Sequence, residues 1–187
     1  MVRRLVQVGG LTRSDLESAL AEAGVRLNAS AETLLADPLF ASDEAETATT
    51  VEIVEGTLGQ LGMASGATLQ QIMAVAREQN LLPCAPFVAP YLRLAMLDQP
   101  SAPDSVMSSG RPPSGAVHVA SERLRPEYDY PRGFYLRVVD GTLWLRGFHC
   151  SDDAPWSAND RFAFRWTEHQ PTDNPVQGAA DEAELRR

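Results

Sequence analysis

The chain has 187 residues and a mass of 20.3 kDa, with 44% hydrophobic and 22% charged residues. That describes one ordinary domain with enough apolar side chains for a real core. Its 25 acids outnumber 16 basic residues, every one an Arg, for a formal charge of -9. No apolar run approaches the roughly 20 residues of a membrane helix. The absence of Lys excludes the Walker A loop, the ATP-pairing lysine of kinases and Schiff-base chemistry within this chain. The acid excess argues against nucleic acid and anionic lipid as partners. It is concentrated early, because residues 1–99 carry six Arg against twelve acids.

The first ten residues read as a short apolar lead. Thr12-Arg-Ser-Asp15 then resembles a capping box, and Leu16, Ala19, Leu20 and Ala23 share one helical face up to Gly24. Val25 and Leu27 bracket an extended piece. A second, weaker helix covers Ala29 to Ala36 and stops before Pro38, and the small acidic run 41–49 reads as a loop. Residues 50–55 alternate as a strand. Thr68-Leu-Gln-Gln71 is another capping box, opening a helix from Leu69 to Gln79 with Asn80 as its C-cap.

Three prolines in LPCAPFVAP forbid a regular helix there. Leu92, Leu94 and Met96 alternate against Tyr91, Arg93 and Ala95, so 91–97 is expected as a strand, with a helix as the alternative. Residues 98–115 are rich in Pro, Ser and Gly and are expected to form a flexible loop. The period is two from Val117 onward. The runs 133–139 and 142–149 flank Asp140-Gly141, a strong hairpin signal, because a type I′ turn needs positive φ at both positions. Arg161 to Trp166 alternates again. The domain is expected to span 1–169, followed by a disordered acidic tail, 170–187. The fold expectation is α+β: N-terminal helices packed on a C-terminal antiparallel meander of 91–97, 116–120, 133–139, 142–149 and 161–166.

A two-residue turn sets the hairpin register. Val139 faces Thr142, Arg137 faces Trp144, Tyr135 faces Arg146 and Phe134 faces Gly147. Phe134, Leu136, Val138, Leu143 and Leu145 form the core side. Tyr135, Arg137, Trp144, Arg146 and Phe148 alternate on the other. Two readings follow. Arg137 stacks on Trp144 and Arg146 on Tyr135, stabilising an exposed face. Alternatively the face is a platform for a base, a phosphate or an acidic segment.

Other chemistry is weakly signalled. Cys84, Cys150, His118, His149 and His169 lack zinc spacing. Cys150 and His149 are neighbours on a strand and point to opposite faces. Cys150 reads as a core thiol, and Asp152, Asp153 and Asp160 as turn residues. There is no G-x-S-x-G elbow and no G-x-G-x-x-G loop, and nothing points to a cofactor. Two distant cysteines and no secretory h-region suggest reduced thiols in the cytoplasm.

Pro90-Tyr-Leu-Arg-Leu94, Leu97-Asp-Gln-Pro100, Gly133-Phe-Tyr-Leu-Arg137, Asp140-Gly-Thr-Leu-Trp-Leu-Arg-Gly147 and Asp160-Arg-Phe162 resemble the signature of a family of small uncharacterised bacterial proteins. The resemblance spans roughly residues 5–166, departs at the longer 98–115 loop and implies no activity. The sequence therefore leads to a non-enzymatic cytoplasmic binding module acting through a protein partner. The alternatives are a small enzyme on a phosphorylated or acidic ligand, and a single-stranded nucleic-acid binder. Arg93, Tyr135, Arg137, Trp144 and Arg146 are the candidate contacts.

Overall fold

A computed structural model describes residues 1–106 and 111–168. The expected tail, His169 and residues 107–110 of the expected loop lie outside the described residues. Ten strands are present in chain order with five α-helices: β1 Val2–Val8, α1 Arg13–Glu22, β2 Arg26–Leu27, α2 Ala29–Leu35, α3 Asp43–Glu46, β3 Thr49–Thr57, β4 Ala67–Thr68, α4 Leu69–Glu78, β5 Leu81–Leu82, α5 Val88–Ala95, β6 Val117–Val119, β7 Gly133–Val139, β8 Thr142–Phe148, β9 Pro155–Trp156 and β10 Arg161–Trp166. A 3-10 turn, Pro38–Ala41, follows α2. Among the described residues no helix is long and apolar enough to cross a membrane.

The local signals hold. Thr12 and Asn28 cap α1 and α2, and Thr68 with Gln71 forms a complete capping box on α4. Asn80, just past α4, takes the left-handed φ of 60° that asparagine tolerates. Asp140 and Gly141 have φ of 49° and 74°, and β7 and β8 pair in the register that a two-residue turn requires.

The architecture is α+β, but the expected helices on a C-terminal meander are overturned. One eight-stranded sheet runs β1-β3-β10-β6-β7-β8-β2, with β5 also on β10. β1 and β3 come from the first 57 residues, and β2 closes the far edge. The sheet is mixed, because β10 runs parallel to β6 and β2 parallel to β8. β10 is central rather than last, and its Phe162-Ala163-Phe164 run is buried on both faces, as a central strand requires.

The expected strand 91–97 is also corrected. Val88–Ala95 is the helix α5, and Val88, Tyr91 and Leu92 are buried at helical spacing. Pro90 falls in its first turn, where a missing N–H costs nothing. The expected loop 41–49 contains the short helix α3.

The sheet has a core on each face. Phe134, Leu136, Leu145, Val117 and Ala163 join Leu16, Leu20, Leu35 and Leu92 on one side. Phe162, Phe164, Val54 and Trp156 join Leu69 and Ile72 of α4 on the other. Asn28 fastens the β8 edge to α2. Its side chain accepts from Gly147 N at 2.8 Å and donates to Gly147 O at 3.0 Å, while capping Ala31 N at 3.0 Å. A Cβ at Gly147 would stand 2.5 Å from Ser30 C and 2.7 Å from Ala31 N, both backbone atoms that cannot swing aside. Gly147→Ala is expected to lower stability by about 2–3 kcal/mol through overpacking, read as a fall in the denaturation midpoint at unchanged m-value.

Candidate functional site

Four strands place four side chains in one row. Phe162 on β10 pairs with His118 on β6, His118 with Tyr135 on β7, and Tyr135 with Arg146 on β8. Directly paired residues share a sheet face, so the row forms one continuous floor. Trp156 on β9 covers its inner end, with its ring 4.7 Å from His118 and 4.9 Å from Phe162, both edge-to-face. Phe148 stands 5.1 Å from His118.

At the Arg146 end of the row is a cleft of about 460 Å³. His118, Tyr135, Arg146 and Phe148 line it from the sheet, Trp156 from β9, which pairs with β4 in a separate two-stranded sheet, Arg111, Pro112 and Pro113 from the 98–115 segment, and His149 and Cys150 from just past β8. Its size and mixed lining are those of a small-molecule site. The Arg146 guanidinium lies 5.1 Å over the Trp144 ring, which holds it by cation-π contact.

The polar atoms around this cleft are poorly partnered. His118 Nδ1, Trp156 Nε1 and Arg146 Nε are buried without a hydrogen-bond partner. Burial pushes the His118 pKa down to about 3, against a smaller upward pull from the Arg161 backbone, so the ring is neutral at physiological pH. Burial pushes the Tyr135 hydroxyl up, with Arg146 and Arg137 pulling it down. It also pushes the Cys150 thiol up, against Arg132 and Arg123, so Cys150 is protonated rather than a thiolate. Among the described residues no group of three or more His, Cys, Asp or Glu is placed to hold a metal ion.

The five sequence candidates separate. Tyr135 and Arg146 reach the cleft, and Trp144 stands behind Arg146. Arg137 and Arg93 do not reach it. Tyr135 and Arg137 are buried rather than on an exposed outer face, with Arg137 at 0% exposure. The expected stacking of Arg137 on Trp144 is replaced by hydrogen bonds. Arg137 donates to Ser114 O at 2.9 Å, Val106 O at 2.6 Å, Asp104 O at 2.8 Å and Asp104 Oδ1 at 2.9 Å. Arg93, also fully buried, donates to Met96 O and to Gln99 Oε1 at 2.6 Å. Gln99 in turn donates to Gly115 O at 3.1 Å.

Sequence reasoning weighed His118 only as a zinc ligand and passed over Trp156. His118 owes its place in the row to the β6–β10 pairing and Trp156 its place over the row to the β4–β9 pairing, which no local pattern encodes. The one available signal was a histidine inside a Val-x-Val strand, where imidazole is out of place unless packed or used.

No family model, curated protein or solved structure matches this chain.

Removing the Arg137 guanidinium leaves three backbone carbonyls and a carboxylate without their donor. Arg137→Met is expected to cost about 3–5 kcal/mol and to expose residues 104–106 and 111–114 to protease before any other described segment, as mapped by mass spectrometry of the first cuts. His118 generates a pH dependence. An unfolded imidazole takes up a proton near 6.5, the folded one only near 3. Its contribution to stability is therefore whole above the unfolded pKa and is lost as pH falls through that window. Between neutral pH and about pH 4.5, His118→Phe should lose about 2–3 kcal/mol less stability than wild type. Parallel pH–stability curves for the two proteins would contradict this.

Proposed function

We propose that the chain is a binding module, not a catalyst, whose ligand is a small acidic molecule seated in the cleft at Arg146. One observation carries this reading. Of seven buried side-chain polar atoms without a partner among the described residues, three belong to side chains that line this single cleft. Buried polar groups are almost always paired, so a cluster of orphans around one opening marks a place where a ligand supplies the missing partners. Two of the three, Arg146 Nε and Trp156 Nε1, can only donate, so the ligand must bring acceptors. Arg146 contributes the charge, and Arg111 adds a second guanidinium at the rim.

Binding fits better than turnover. The Cys150 thiol is protonated and the His118 imidazole is neutral across the physiological range, so neither of these two is poised as nucleophile or proton carrier. The flat aromatic-guanidinium face that suggested docking of a protein partner is taken up internally, because Tyr135 and Arg137 are buried.

Calorimetry with 2-naphthoate and its uncharged isostere naphthalene-2-carboxamide tests the charge requirement. The acid is expected to bind at least about tenfold tighter, the worth of a charge-assisted hydrogen bond. Arg146→Gln should remove most of that preference while keeping the wild-type melting curve within a degree or two. Equal affinity for acid and amide, or a preference that survives Arg146→Gln, would overturn the proposal.

A further inference from the structure

We propose that two copies of this chain associate by pairing their β1 strands edge to edge, antiparallel, about a two-fold axis that passes through Leu5. The interface lies at the end of the sheet away from Arg146 on β8 and does not depend on the acid-binding reading.

The sheet ends differently on its two sides. At the β8 end the last strand is β2, Arg26–Leu27, only two residues long. Such a short edge offers little to pair with. The other end is β1, which runs for seven residues, Val2–Val8, without a proline and with an unbroken register against β3. Among the described residues β1 pairs with β3 alone, and no backbone hydrogen bond reaches its outer edge. In an antiparallel strand alternate residues turn their N–H and C=O away from the neighbour, so this edge presents a row of unmet donors and acceptors.

The side chains of β1 do not protect it. Edge strands are commonly shielded by charges that stand over the open side. Both guanidiniums of β1 are directed into their own chain instead. Arg3 meets Glu52 at 3.0 Å and lies 4.8 Å over the Trp166 ring, and Arg4 donates to Ala95 O at 3.3 Å. What the edge shows is apolar. Of the six large hydrophobic side chains exposed among the described residues, Met1, Val2 and Leu5 belong to β1 or adjoin it, and Leu97 lies two residues past the Ala95 carbonyl that Arg4 holds. Leu5, the middle residue of the strand, is 73% exposed. Apolar side chains grouped around unmet backbone make a docking edge for another strand.

The strand complements itself. Full-length antiparallel overlap of Val2–Val8 with a second copy fixes the two-fold axis at Leu5. Leu5 then faces the partner's Leu5, Arg4 the partner's Val6, Arg3 the partner's Gln7 and Val2 the partner's Val8. No two guanidiniums are opposed. Moving the axis to Arg4 sets that residue against the partner's Arg4, and like charges directly opposite destabilise a strand pair. Moving it to Val6 carries the pairing into Gly9 and Gly10, whose φ of 81° and 83° leave the strand. The second copy therefore fits this edge in side chain as well as in backbone.

Sedimentation equilibrium on the full chain tests this. The mass is expected to rise from 20.3 kDa toward twice that value as concentration increases. Leu5→Arg and Leu5→Glu each set like charges together on the axis. Each should weaken the dimer at least about tenfold with an unchanged circular dichroism spectrum, because the side chain replaced is exposed. Only a residue on the axis meets its own copy, so mixing the two variants should restore a dimer of mixed composition. Tyr128→Ser, at an exposed ring elsewhere, should leave the dimer as it is. A second readout needs no variant. Alternate amides of β1 should exchange with deuterium more slowly at high protein concentration than at low, while those of β2 do not change. A chain that stays monomeric at about 1 mM, the weak end of the affinity scale, overturns the proposal. So does a dimer that survives both Leu5 variants, one that Tyr128→Ser weakens as much, or β1 amides whose exchange ignores concentration. Variants that are each monomeric and do not recover on mixing overturn the axis at Leu5.

Discussion

A guanidinium does not leave water without partners for its N–H groups, and the placement of Arg137 at full burial governs much of this structure. The hydrogen-bond partners that the described residues supply lie off the sheet. They are two backbone carbonyls and a carboxylate near Asp104, and a third carbonyl at Ser114. The side chain can be buried only if Asp104, Val106 and Ser114 lie across the sheet face above β7. Ser114 Oγ donates to the Asp104 carboxylate as well, closing the two ends of the segment on each other. Arg93 does comparable work from α5. It holds Gln99, which reaches both Gly115 O and Leu136 O, so the start of the segment is tied to its end and to β7. A stretch with few apolar side chains is thus held by buried charge and main-chain acceptors instead of a hydrophobic face.

That covering has a consequence for the site. Arg111, Pro112 and Pro113 belong to the same segment as Ser114, so fixing Ser114 on Arg137 also sets the wall of the cleft opposite the aromatic cage. The floor has an independent origin. Phe162, His118, Tyr135 and Arg146 are aligned because β10, β6, β7 and β8 are neighbours in register. Wall and floor meet at β7, where Tyr135 serves the floor and Arg137, two residues on, anchors the wall. A strand buried along its whole length is what lets one element do both.

Much of the local structure was legible. The caps at Thr12 and Thr68, the Asp140-Gly141 turn and the opposition of Tyr135 to Arg146 all depend on residues close in sequence or on a turn that dictates pairing. What lay beyond reach was set by distant neighbours. Nothing in RFAFRW says that it slots between β3 and β6, and that insertion makes the sheet mixed and both faces interior. With one face assumed wet, Tyr135 and Arg137 read as surface residues. Leu92, Leu94 and Met96 fit a strand and a helix about equally well. The burial of Val88, ahead of that run, and of Arg93, out of phase within it, decided for the helix. Proline was read as a helix breaker where, in a first turn, it is a helix starter.

The net charge sets how such a site can work. A chain at -9 repels an acidic ligand at a distance of several Debye lengths only weakly, but it offers no steering toward the cleft either. Attraction begins only close to Arg146 and Arg111, within the screening length of about 8 Å at physiological salt. On the proposed reading, association would proceed at an unsteered rate, and selectivity would reside in how long the ligand stays. The interior of the cleft suits that division. Its aromatic cage and neutral His118 keep the local dielectric low, which strengthens each hydrogen bond made there and penalises a bound group that leaves a donor unmet. A surface built to attract acids would hold many of them briefly. On the proposed reading, this fold would hold an acid through the guanidinium at Arg146 rather than through its overall charge.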